Sequence, residues 1–138
     1  MSNGKLTALV SLATTLSLGH TTDHIIRDDL RWSLTPESLG FLVVTIATYG
    51  VIAVGLYLYS KEKVGPRFWA ILGGVAVGFG WLAHFSPFTD QPPSYILGAY
   101  GSAAAGWLAV SDLVALMLVL MVTALYSGYL WIRHAEMA

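Results

Sequence analysis

Leu39 to Tyr59, LGFLVVTIATYGVIAVGLYLY, is the stretch on which the fold turns, because it runs for 21 residues without a charged side chain. At ~1.5 Å per residue such a helix crosses a hydrocarbon core of roughly 30 Å. Its start is marked as well as its body. Thr35 supplies a side-chain cap, Pro36 suits the first helical position, and Glu37 suits the positive end of the helix dipole.

Composition points the same way. Of 138 residues, 56% are hydrophobic and 11% charged, so the chain carries too little charge for an ordinary water-soluble domain. The length fits one domain, 1–138. A net charge of -1 offers no basic excess for a phosphate backbone, which argues against nucleic acid as a partner. The absence of cysteine excludes disulfides, thiolate metal sites, thiol nucleophiles and cysteine-linked haem.

Working outward, the turn after Tyr59 holds Lys61, Lys63, Gly65 and Pro66, and Pro66 is suited to open the next helix. A third span follows over 67–85. Its Gly74 and Gly78 form a small-x-x-x-small pair, expected to let a neighbouring backbone approach and to make this a central packing helix. Downstream, Ile96 to Ile132 would make one helix of 37 residues, roughly 55 Å, which is too long for a bilayer. A break between Gly101 and Gly106 or at Ser111 is expected, leaving an interfacial or re-entrant segment over 96–110 and a last span over 112–132.

The beginning of the chain decides where chemistry lies. Lys5 and the apolar Leu6 to Leu18 imitate a secretory signal but lack a small-x-small cleavage site, and are read as a retained first helix. Thirteen apolar residues reach only roughly 20 Å, so the helix must continue to about Ile26 to cross. The expected architecture is an all-α integral membrane four-helix bundle with spans over 5–26, 38–59, 67–85 and 112–132.

Four spans put both termini on one side, with Lys5, Lys61, Lys63, Arg67 and Arg133 there against only Arg27 and Arg31 opposite. The positive-inside tendency makes the first side cytoplasmic. The lipid bilayer, in a bacterial or archaeal plasma membrane, is the expected surrounding. Tyr57, Tyr59, Trp69, Tyr126, Tyr129 and Trp131 read as inner interface anchors, and Trp32, Trp81, Phe88, Tyr95 and Trp107 as outer ones.

Extending the first helix carries His20, Asp23, His24 and Arg27 to positions i, i+3, i+4 and i+7, one face of a helix. His84 ends the third span and Asp112 begins the last on that same extracytoplasmic side, with Asp90 between them. Ionisable groups at such depth usually face the bundle interior, a partner or water. Imidazole and carboxylate together suit a divalent transition metal such as zinc, with His20, Asp23, His24, His84 and Asp112 as candidate ligands and Asp23 and Asp112 as candidate acid–base groups. A haem b between His20 and His84 is a lesser alternative.

The bland reading of the same residues is a solvated helix end. Arg27 would pair with Asp23 and His24 with Asp28, Asp112 or Ser111 would cap the last span, and His84 and His134 would be interfacial. Other functional classes remain beside metal binding: a proton- or cation-linked transporter or sensor, and an accessory subunit of a larger membrane complex or a homo-oligomer. No phosphate-binding loop, nucleophile elbow or intramembrane lysine is present. A faint echo between the first and third spans, each ending near a histidine, is too slight for a repeat.

Overall fold

The computed structural model describes residues 3–27 and 35–136, except the side chains of 134 and 135. Within them lie five helices: α1 Gly4–Ile26, α2 Pro36–Ser60, α3 Pro66–His84, α4 Pro93–Ala99 and α5 Ala103–Glu136. Three of these, α2, α3 and α5, are long and apolar enough to cross a membrane. α1, at 23 residues, is longer than α3 but falls outside that set. Serines and threonines along it, and His20, Asp23 and His24 at its end, dilute its hydropathy.

Local chemistry explains the helix starts. The Asn3 side chain accepts from the amides of Lys5 and Leu6 at 3.0 and 3.1 Å, satisfying two donors that α1 would otherwise leave open. Thr35 caps α2 by accepting from Ser38 N at 3.3 Å, with Pro36 in the first turn. α3 and α4 also open on prolines, Pro66 and Pro93.

The break in the C-terminal third falls at Tyr100 to Ser102, and Ser111 lies inside an uninterrupted α5. The expected segment 96–110 is therefore divided: its first part belongs to the short α4 and residues 103–110 to the last helix. The run Ala103, Ala104, Ala105 supplies strong helix formers just after the break, which explains the continuity. At 34 residues α5 reaches roughly 51 Å, so it either tilts or extends beyond the apolar layer.

α5, rather than α3, is the central helix, packing against α1, α3 and α4. The glycines that permit this are not the expected pair. A Cβ on Gly73 would lie 3.1 to 3.3 Å from Ala124, and one on Gly106 would lie 2.7 Å from the carbonyl oxygen of Leu97. Gly74 and Gly78 have open space beside them. Within the chain, close backbone approach uses Gly73 and Gly106.

One core cluster joins Leu6 and Val10 of α1, Tyr59 of α2 and Trp69 of α3, with Phe68, Leu72, Tyr126 and Leu130 around them. Tyr59 and Trp69, read from sequence as interface anchors, are instead core residues, 5% and 2% exposed. The Tyr59 hydroxyl accepts from Asn3 N at 2.9 Å, so the N-terminal cap and the end of α2 are tied together. Around this end Arg67 lies over Trp131, Arg133 over Tyr129 and Lys61 over Tyr57, at 5.0, 5.3 and 5.9 Å. Such cation–aromatic pairs suit a headgroup layer. Asp28, Arg31 and Trp32 lie outside the described residues, as does the side chain of His134.

Candidate metal centre

α1 continues through Gly19 to Ile26, so its inward stripe passes from Leu6, Val10 and Ala13 to Ser17, His20 and His24, with spacings of three and four residues. Every member of such a stripe faces the same neighbours. The first half of the stripe is core. The second half carries the histidines of the candidate site.

His84, the last residue of α3 and 4% exposed, meets the two α1 histidines at the end of the helices opposite the Lys61 to Gly65 turn. Its Nε2 lies 3.1 Å from His20 Nε2, which lies 3.1 Å from His24 Nε2. The three donor atoms all lie within 4.8 Å of one another. An ion with metal–nitrogen bonds of about 2.0–2.1 Å holds adjacent donors roughly 3.0–3.4 Å apart, in octahedral or tetrahedral geometry respectively. Two edges of the triangle already have that length.

Hydrogen bonding engages two of the three: His24 Nδ1 accepts from Arg27 Nη2 at 3.4 Å, and His84 is held by a backbone carbonyl. His84 Nδ1 lies 3.1 Å from the Gln91 carbonyl, which can only accept, so Nδ1 carries the proton and the neutral ring turns its lone pair on Nε2 toward the other histidines. A backbone carbonyl on the far nitrogen is the usual outer support of a metal-ligating histidine. His20 Nδ1 is buried without a hydrogen-bond partner among the described residues, 4.0 Å from Asp23 Oδ2. That distance exceeds hydrogen-bond reach.

Of the five residues proposed as ligands, the structure brings together His20, His24 and His84 and sets Asp23 and Asp112 apart from them. The Asp23 carboxylate is engaged elsewhere. Its Oδ2 accepts from Arg27 Nε and Nη2 at 3.0 and 2.8 Å, and its Oδ1 accepts from the Tyr100 hydroxyl. Burial, reinforced by this carboxylate, pushes the Tyr100 phenol up to about 12, so it remains a donor at any physiological pH. Asp112 lies inside α5 and is no helix cap. Its carboxylate packs on α1, where a Cβ on Gly19 would lie 3.0 Å from Oδ1, and Oδ2 is buried without a partner among the described residues.

Arg27 does pair with Asp23, as the solvated-end reading expects, but the pair is buried rather than solvated. The haem alternative does not fit. His24 occupies the same approach to His20 that a porphyrin would need, and a 3.1 Å gap between His20 and His84 leaves no room for a macrocycle.

Sequence reading missed Tyr100 and Gln91. Gln91 contributes its carbonyl to His84 and its side-chain oxygen to Arg27 Nη1 at 3.2 Å. Both residues lie 64 or more positions from their α1 partners, and no spacing rule links them.

Beside the histidines runs a cavity of about 890 Å³ between α2 and the α1, α3 and α5 group. A helical fold with three membrane-crossing candidates and three convergent imidazoles defines a class: a helical membrane protein with a histidine cluster able to hold a metal ion. No protein-family model matches the chain, and neither a curated protein nor a solved structure shows similarity to it.

Proposed function

We propose that this chain is a membrane-embedded metal-binding protein in which His20, His24 and His84 hold a divalent transition ion, zinc being the best match, with one coordination position left for a substrate or exchanging ligand. The observation that carries this reading is the pair of 3.1 Å Nε2 separations linking α1 to α3. Three protein nitrogens and an open position are the pattern of catalytic rather than structural zinc. In this reading α1 is a fourth span and the site lies on the extracytoplasmic side, as the basic residues around the other end favour.

Such an ion would supply Lewis acidity where a substrate meets the cluster. The chain's own part is to orient the donors, through Gln91 on His84, and to surround them with apolar walls that keep bulk water away. Elemental analysis of detergent-purified protein should find one ion per chain, removed by a chelator and released on acidification as the imidazoles take up protons. Protein that binds no zinc, cobalt or nickel when these are supplied would refute the proposal.

A second reading, a homo-oligomer or a subunit of a larger membrane complex, is supported by Gly74 and Gly78. They stand one turn apart on α3 with open space beside them, a surface that admits a second helix closely. The mass of the protein in detergent micelles should then exceed that of one chain and fall when Gly78 is replaced by leucine. A monomer at every concentration would count against it.

A further inference from the structure

We infer that the cavity beside the histidines receives an amphiphile with an anionic head group, its head at the histidine-held ion and its chain along α2, α3 and α5. This rests on the metal reading above.

The cavity has two chemically different parts. One end presents His20, His24 and His84. The body is walled by Val44 of α2, Val75 and Phe79 of α3, and Leu116 and Leu120 of α5. Hydroxyls along the body are few: that of Tyr49 is already engaged by Thr21 and Ser17 at 2.8 and 3.2 Å, and Thr45 and Thr48 add theirs on the α2 wall. A hydrophilic molecule filling this space would lose most of its hydration without replacement. An alkyl chain loses nothing of the kind.

Size and access agree. About 890 Å³ lies within the range of ligand cavities, roughly 300–1,000 Å³. Leu72 and His84, near the two ends of the α3 wall, lie more than three helical turns apart, roughly 18 Å at ~1.5 Å per residue. That length suits an extended chain with its head at the histidines. α2 and α3 meet in the core near their connecting turn, and farther along Val75 and Phe79 remain 65% and 62% exposed. The wall is therefore continuous with the outer apolar surface, and a lipid-borne molecule can enter sideways.

Charge selects the head group. Imidazole ligands bring no negative charge to offset a divalent ion, and the described carboxylates around them lie outside the ligand group: Asp23 is taken up by Arg27 and Tyr100, Asp112 packs against Gly19 of α1, and Asp90 is an exposed residue of the cavity lining. A carboxylate or phosphate head completes both the coordination and the charge.

Cobalt(II) supplied to the metal-free protein gives visible absorption bands that report its ligands. Myristate should shift those bands at concentrations at least tenfold lower than acetate, which has the head without the chain, or tetradecanol, which has the chain without the charge. Replacing Ala76, on the α3 wall, by tryptophan should preserve the cobalt bands and weaken the myristate response at least tenfold. Val44→Trp, on the facing wall, serves the same purpose if Ala76→Trp fails to fold. Equal responses to myristate and acetate, or an unchanged response in the filled variants, overturn the amphiphile inference and leave metal binding intact. Absence of cobalt bands in the unaltered protein overturns both.

Discussion

Replacing His84 with alanine is expected to lower affinity for a divalent ion by more than about 100-fold, since loss of merely an outer-shell partner costs roughly 10- to 100-fold. His84 is the one donor of the three supplied by α3. Without it, His20 and His24 remain as a pair one turn apart on a single helix, and the ion loses the contact that joins two helices. The side chain is buried and donates to the Gln91 carbonyl, so the variant also gives up a hydrogen bond worth about 1 kcal/mol. Calorimetric titration with zinc, beside circular dichroism of the same samples, separates the two effects. A folded His84→Ala protein that binds zinc as tightly as the unaltered chain would show that the triangle of imidazoles is not a metal centre.

Asp23→Ala is expected to destabilise the fold by about 3 kcal/mol, the lower end of the cost of breaking a buried ion pair. The side chains of Arg27 and Asp23 are 1% and 6% exposed, and the guanidinium donates twice to one carboxylate oxygen. Removal of the carboxylate leaves a buried positive charge and takes the acceptor from Tyr100. Gln91 still accepts from Arg27, which is why the lower figure applies. Thermal unfolding in detergent should fall by roughly 10 °C, and Asp23→Asn, which keeps the shape and one acceptor, should recover part of it. An Asp23→Ala protein melting with the unaltered chain would mean that water reaches this pair and screens it.

These two aspartate and histidine positions also illustrate what spacing can and cannot reveal. The i, i+3, i+4 relation correctly places His20, Asp23 and His24 near one another, because helical periodicity is a local property. It does not decide which of them share a cavity. A rotation of 100° per residue separates Asp23 from His24 enough for one to meet Tyr100 and Arg27 and the other to meet His20. The same limit explains the glycines: Gly74 and Gly78 have the spacing of a packing motif, yet Gly73 meets α5. Trp69 and Tyr59 have the composition of an interface belt, but the crossing of α1, α2 and α3 buries them.

By itself the sequence determined an all-helical chain, the long uncharged segments able to cross lipid, their proline and threonine starts, and the presence of histidines at their ends. Each of these follows from short-range rules, since helix formation, capping and transfer into an apolar medium depend on residues within a few turns. Only the tertiary structure decided that His84 joins His20 and His24, that Asp23 and Asp112 stand apart, and that α2 leaves a cavity beside them. Those outcomes depend on how far each helix is rotated about its axis and where it crosses α5, and both are set by side chains more than sixty residues apart in the chain.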